Sequence, residues 1–152
     1  MLAARNLFDA ERNPGGAFPH QYETEDVAGL LLIVDRAANL VWTRQRNPVK
    51  MSLKKSVQWI ESLNRVGYGG IRSWRLPTVE EAASLLQKRA GHKKIFLDDV
   101  FAGDVEAIWT GDSPTESESW IIVFQSGRIQ TAKNKSRLMT LMVSSEGDLL
   151  GK

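Results

Sequence analysis

Residues 73–81, with the sequence SWRLPTVEE, restrict the fold of this chain more than any other local segment. Thr78 followed three residues later by Glu81 forms a capping box, in which each side chain binds a backbone N–H group at the start of a helix. Pro77 makes the approach rigid because its ring fixes φ. The segment therefore predicts a helix that begins at about Val79.

The overall composition is typical of one globular domain. The chain has 152 residues, of which 42% are hydrophobic and 25% charged, and no apolar stretch is long enough to span a membrane. The absence of cysteine excludes disulfides, thiolate metal sites and thiol nucleophiles. The first residues lack the apolar core of a signal peptide, so we expect a cytoplasmic protein unless a longer precursor is trimmed.

Two segments have the apolar spacing of helices. Ser52 is placed to cap the first helix, which the glycines from Gly67 onward end. The predicted inward stripe of this helix is Leu53, Val57, Ile60 and Leu63. The second helix, from about Val79, is predicted to carry inward Ala82, Leu85 and Leu86.

Short apolar runs separated by turn residues predict the strands. The runs are 30–34, 40–43, 107–110, 120–124, 129–131 and a closing strand at 138–143. Two helices followed by a meander of strands indicate an α+β domain. We divide the chain into an arm packed on the core (1–29), the domain itself (30–145) and a tail (146–152).

An ordered series of motifs extends over nearly the whole chain: NLVW at 39–42, SWRLPT at 73–78, DDVF at 98–101, WT at 109–110, and SWIIVF at 119–124 with Gly127. The series resembles the bacterial domain family named for the C-terminal domain of Legionella collagen-like protein, within the C-type-lectin-like fold group. The resemblance implies two helices flanking a twisted antiparallel β-sheet. It also implies ligand-binding or surface-binding modules without catalytic residues, with glycan or sulfated-polysaccharide binding suggested for some members.

We assign structural roles to most of the motif residues. Tryptophans in apolar runs usually lie in the core. Arg75 stands beside a helix start, and we expect it to form an ion pair with Asp98 or Asp99. The residues interpreted as structural are Trp42, Trp74, Pro77, Thr78, Glu81, Trp109, Trp120, Phe124 and Gly127.

Charge is distributed unevenly along the chain. Residues 36–94 contain 13 basic and 3 acidic side chains, whereas residues 98–118 contain 7 acidic side chains and no basic one. Such a distribution either steers a polyanion toward one region or pairs the two regions with each other. The sequence leaves both alternatives open.

Residues suited to catalysis are few. The only histidines, His20 and His92, are far apart, and no motif places a nucleophile. The acidic residues between 98 and 118 lack the spacing of a calcium loop, which favours a solvated acidic loop over a metal site. We therefore expect a protein that is not an enzyme and has no cofactor or metal.

The basic residues around the late strands are the remaining candidates for binding. If they converge, they form a surface for sulfate, phosphate or an acidic partner. The predicted ligand-binding residues are Arg128, Lys133, Lys135, Arg137, Arg44 and Arg46. Nucleic acid is disfavoured because the aromatic residues are not interleaved with the basic ones.

Two functions are consistent with this pattern. The first is a non-catalytic recognition module that binds an anionic ligand, such as a sulfated or phosphorylated glycan, or a partner protein through its late loops. The alternative is an intracellular protein-protein interaction or scaffolding domain that self-associates. The first predicts salt-sensitive binding, and the second predicts self-association that is insensitive to salt.

Overall fold

The computed structural model describes residues 19–44, 47–87, 97–101, 105–145 and Gly147. This part of the chain forms an α+β fold with two antiparallel sheets and two α-helices. The helices are α1 (Leu53–Val66) and α2 (Val79–Ser84). The strands are β1 (Tyr22–Val27), β2 (Leu30–Asp35), β3 (Leu40–Thr43), β4 (Ala107–Trp109), β5 (Glu118–Val123), β6 (Arg128–Lys133) and β7 (Val143–Ser145).

The first sheet has the order β1-β2-β3-β7 and is covered on both faces. On one face Ile33 and Trp42 belong to a core cluster that includes residues of α2 and of the second sheet. On the other face Leu32 and Val34 pack in a cluster with Ile60 of α1. This explains why β2 is a continuous apolar run, since a strand buried on both sides has no solvent face that requires polar residues.

The second sheet has the order β4-β5-β6 and is separate from the first. The expectation of one twisted sheet was therefore wrong. The sheets are separate because the predicted closing strand is a regular strand only from Val143 onward. The preceding residues alternate between partners: Leu138 bridges Met51, whereas Met139 bridges Ile108 in the second sheet. Because no continuous ladder forms, the two sheets stay distinct.

Helix α1 packs with a stripe that differs by one position from the predicted one. Ile60 is buried and Leu63 is half-buried as expected, but Val57 is 39% exposed and the buried residue of that turn is Ser56. The hydroxyl of Ser56 accepts a hydrogen bond from Thr140 Oγ1 at 2.9 Å. A buried polar partner thus rotates the helix away from the orientation that apolar spacing alone favours.

Helix α2 has only six residues and begins with a complete capping box. Thr78 Oγ1 accepts a hydrogen bond from the N–H of Glu81, and Glu81 Oε1 accepts one from the N–H of Thr78, at 3.1 and 2.9 Å. The helix ends earlier than the spacing predicts, so Leu85 and Leu86 follow it in a turn, yet both are 1% exposed.

The indole rings act as anchors between segments. Trp42, Trp74 and Trp109 are buried, and Trp120 is partly buried against the first cluster. The Nε1 of Trp74 donates to the carbonyl oxygen of Tyr68 at 2.8 Å. The Nε1 of Trp109 likewise donates to the carbonyl oxygen of Met51 at 2.9 Å. The rings of Trp74 and Trp109 therefore combine apolar burial with a directional bond, whereas the buried Nε1 of Trp42 has no hydrogen-bond partner among the described residues.

Other motif residues support turns and packing. Phe124 is fully buried, and Gly127 has φ of 75°, a left-handed conformation that glycine adopts without strain. Arg75 does form an ion pair, but the partner is Glu81 rather than Asp98 or Asp99. The two side chains make paired contacts of 2.7 and 2.9 Å. Glu81 is nearer because the helix that it begins follows Arg75 directly.

Replacing Thr78 with alanine should lower the free energy of unfolding by about 1 kcal/mol, because the substitution removes the cap of a short helix. Urea denaturation followed by circular dichroism measures this change. Ser126→Ala, in an exposed turn, is the control and should alter stability by less than about 0.5 kcal/mol. Equal stability of Thr78→Ala and the native chain would show that the capping box does not support α2.

The Arg75–Glu81 pair should make stability depend on pH. Burial alone would raise the pKa of Glu81, but hydrogen bonds from Arg75 and Thr78 hold it below its usual value. A carboxylate with a lowered pKa in the folded state contributes stability above its unfolded pKa of about 4.3. That contribution is lost as the pH falls through the folded pKa.

Glu81→Gln should therefore be less stable than the native chain at pH 7, and the difference should shrink between about pH 5 and pH 2. Urea denaturation across this pH range measures the difference. Glu61→Gln, on an exposed position of α1, serves as the control. A difference that stays constant across the range would contradict the ion-pair explanation.

Candidate functional site

The start of α1 lies directly beside the loop that follows β6. Met51 and Leu138 exchange two backbone hydrogen bonds, of 2.8 and 2.9 Å. One turn further, the N–H of Leu53 donates to the carbonyl oxygen of Asn134 at 3.1 Å. These bonds connect residues that are more than 80 positions apart in sequence, so two basic segments become neighbours.

This juxtaposition creates one basic surface. From the α1 side it includes the loop residue before Met51 and two residues in the first turn of the helix. From the other side it includes the end of β6 and the following loop. The six residues of the basic surface, all exposed, are Lys50, Lys54, Lys55, Lys133, Lys135 and Arg137.

The electrostatics at the start of α1 differ from those of an ordinary helix. The N-terminal end of a helix carries a partial positive charge, and acidic residues are favoured there. The first turn of α1 has no acidic residue, and Lys54 and Lys55 occupy it. Ser52 caps the helix only weakly, since Lys55 N–H donates to its Oγ at 3.4 Å. The helix end therefore adds to the positive potential of the lysines.

Acidic residues border the basic surface. Lys50 pairs with Glu106 at 3.8 Å, with both side chains about half exposed. Lys133 stands opposite Glu118 in the β5–β6 register. Of the two alternatives left open by the charge distribution, pairing of the basic and acidic segments is thus present at the edge of the surface. Such exposed pairs contribute little stability and are screened by salt.

A buried polar cluster beneath the surface holds its two halves together. Asn47 Oδ1 accepts a hydrogen bond from the N–H of Thr140 at 2.9 Å, and Asn47 Nδ2 donates to the carbonyl oxygen of Val49 at 2.6 Å. Thr140 in turn donates to Ser56 of α1. Because all three polar side chains are buried, their bonds fix the loop, the helix and the late segment in one arrangement.

The structure brings together only some of the predicted binding residues. Lys133, Lys135 and Arg137 lie on the basic surface. Arg128 stands at the opposite end of the six-residue strand β6, roughly 17 Å from Lys133 at the usual rise per residue. Arg46 lies outside the described residues.

Lys54 and Lys55 belong to the basic surface, but the sequence analysis did not identify them as binding residues. A signal was present, since both lie off the apolar stripe and directly after Ser52, where acidic residues are expected at a helix start. Their proximity to the late loop is a tertiary contact with no local signature.

Arg44 lines a separate cavity of about 150 Å³ next to the β1–β2 turn. The other residues that line it are Gly29, Leu30, Leu31 and Tyr68. None of them belongs to the basic surface. The described members of the predicted basic set therefore lie in three places: the basic surface, the far end of β6 and this cavity.

His20 has a structural environment. Its Nδ1 contacts Asp35 Oδ2, and its Nε2 contacts the carbonyl oxygen of Ser84. Burial would raise the pKa of Asp35, but hydrogen bonds from His20 and from the N–H groups of Gln21 and Ala37 hold it below its usual value. Both ring nitrogens are engaged, so this histidine joins the start of β1 to β2 and to the end of α2.

Two acidic residues of the 98–118 segment, Asp98 and Asp112, bond to backbone groups of the fold. Asp98 Oδ1 accepts a hydrogen bond from the N–H of Val100 at 2.9 Å, and Asp112 Oδ2 accepts one from the N–H of Val79 at 2.7 Å. Within the described ranges, no group of three or more histidine, aspartate or glutamate side chains is arranged to hold a metal ion. Asp112 instead supports the N-terminus of α2.

Asn47→Ala should destabilise the protein by about 2 kcal/mol, because it leaves the buried N–H of Thr140 without its partner. Thermal unfolding followed by circular dichroism measures this loss. Gln58→Ala, at an exposed position of α1, should leave the melting temperature nearly unchanged. If both variants melt with the native chain, the buried cluster does not hold the two halves of the surface.

Comparison with known proteins identifies a family for this chain. The family model of the Lcl C-terminal domain matches residues 31–144, three quarters of the chain, from β2 to β7. No curated protein matches the chain. Within the part that the structure describes, no helix is both long and apolar enough to cross a lipid bilayer.

Proposed function

We propose that this chain, which belongs to the Lcl C-terminal domain family, is a non-catalytic recognition module that binds a sulfated or phosphorylated ligand on its basic surface. The observation that carries the proposal is the first turn of α1. Lys54 and Lys55 stand there without an acidic residue, beside the basic loop 133–137.

Three features of the basic surface suit an anionic ligand. Six cations belong to it, and sulfate and phosphate oxygens accept charge-assisted hydrogen bonds from lysine and arginine. The helix end contributes further positive potential. Glu106 and Glu118 at the border would repel an anion that binds off-centre, so they favour one position.

Replacing Lys55 with glutamate tests the proposal, because the substitution should stabilise the fold and weaken binding of the anion. Glutamate at position 55 would complete a capping box with Ser52 and would also suit the helix dipole. Lys55→Glu should therefore stabilise the protein by about 0.5 kcal/mol. The same substitution should weaken binding to dextran sulfate about tenfold, because it replaces an attractive charge with a repulsive one.

Binding is measured by biolayer interferometry with dextran sulfate and unsulfated dextran at two salt concentrations. The native chain should bind only the sulfated polymer, and less tightly at high salt. Arg128→Glu is the matched control, since Arg128 lies at the far end of β6 and should contribute much less. Undiminished binding by a stable Lys55→Glu variant, or equal binding to both polymers, would overturn the proposal.

A further inference from the structure

The cavity beside the β1–β2 turn combines one cation with apolar walls. Arg44 lines it together with Gly29, Leu30, Leu31 and Tyr68. Its volume of about 150 Å³ is enough for a benzene-sized group. The cavity therefore has room for a small ligand rather than for water alone.

Arg44 is half-buried. In the part of the chain that the structure describes, its side chain has no hydrogen bond or ion pair. A guanidinium that is partly removed from water without an anion is unfavourable, because its five N–H donors lose hydration. Asp26, near the end of β1, accepts a hydrogen bond through Oδ1 from the N–H of Gly29 at 2.7 Å. The geometry thus leaves the guanidinium available for an external anion.

Gly69 packs closely against β2 beside the apolar walls of the cavity. A Cβ atom at Gly69 would approach the side chains of Leu32 and Leu30 to 3.2 and 3.3 Å, so these side chains would have to shift slightly, and the φ of 64° at this position lies in the left-handed region that favours glycine. The packing sets Tyr68 beside Leu30. Leu31, the remaining wall, is 43% exposed. Burial raises the pKa of Tyr68, so its phenol stays neutral.

We propose that this cavity binds a small carboxylate attached to an aromatic or branched apolar group. The planar guanidinium of Arg44 pairs with the two carboxylate oxygens, a geometry that lysine does not match. The apolar body of the ligand lies against Leu30, Leu31 and Tyr68. The cavity shares no residue with the basic surface, so this second site is independent of the function proposed above.

Titration of the full chain with benzoate, followed by ¹H–¹⁵N NMR of the Gly29 and Arg44 backbone N–H groups, tests the proposal. Benzoate should give saturable shifts at these groups. Benzyl alcohol, which has the ring without the charge, and acetate, which has the charge without the ring, should each bind at least about tenfold more weakly. Equal affinity for benzoate and either probe would overturn the proposal.

Variants separate the two contributions. Arg44→Gln should weaken benzoate binding about tenfold or more, and Arg44→Lys should recover only part of the loss. Arg128→Gln removes the same charge from the second sheet and should leave the affinity unchanged. Leu31→Ser, at an exposed position that should not disturb folding, should weaken the binding of benzoate without affecting the binding of acetate. Unchanged benzoate affinity in both Arg44→Gln and Leu31→Ser would exclude this site.

Comparing the affinities of two carboxylates distinguishes a peptide C-terminus from a free aromatic acid as the ligand. Tighter binding of N-acetylphenylalanine than of benzoate would assign the site to a peptide C-terminus. The reverse order would assign it to free aromatic acids. Either result requires Arg44, and binding of both compounds that survives Arg44→Gln would contradict the proposal.

Discussion

The segment from Leu138 to Val143 is the constraint on which the rest of the structure depends. Its backbone bonds successively to the loop before α1, to β4 in the second sheet, to the end of β3 and to Arg75. Each of these bonds satisfies a group that would otherwise be buried without a partner. Since one extended segment bonds to both sheets and to the residues before both helices, it helps to fix how the sheets and helices are placed.

This arrangement also determines where the two proposed sites lie in the fold. The first sheet is covered on both faces, by α1 on one side and by α2 and the second sheet on the other. Both faces of this sheet are covered, so the proposed sites lie at its rims, where loops and helix ends meet. The basic surface lies where the late segment meets α1. The Arg44 cavity lies where the β1–β2 turn meets the glycine-rich turn after α1.

Local sequence patterns predicted those features that depend on neighbouring residues. The capping box of α2 follows from Thr78 and Glu81 alone, and the α+β class follows from the order of apolar runs. The division into two sheets was not predictable in this way, because the residues before Val143 are apolar whether they pair with one strand or alternate between several. The prediction that Val57 faces the core was wrong for a similar reason. Its helical spacing is correct, but the hydrogen bond between Thr140 and Ser56 determines which face of α1 turns inward.

For the candidate sites, too, local sequence patterns did not predict the tertiary contacts that bring residues together. Lys133, Lys135 and Arg137 attract attention as a cluster in sequence, whereas Lys54 and Lys55 join them only through a contact between Leu53 and Asn134. Arg44 was grouped with the late basic residues by charge alone. Its apolar surroundings depend on the packing of Tyr68 and Leu30, which no local pattern indicates.

The two helices treat their N-termini in opposite ways, and length explains why the protein tolerates this. Helix α2 has six residues, so it has little packing to compensate for a poor start, and it has Glu80, Glu81 and a full capping box. Helix α1 has fourteen residues and buries an apolar stripe against the first sheet. Because tertiary packing supplies most of the stability of a long helix, two lysines in its first turn cost only a small fraction of it. A positive helix end is therefore compatible with folding at α1 and would not be at α2, which is consistent with the binding proposed at the start of α1.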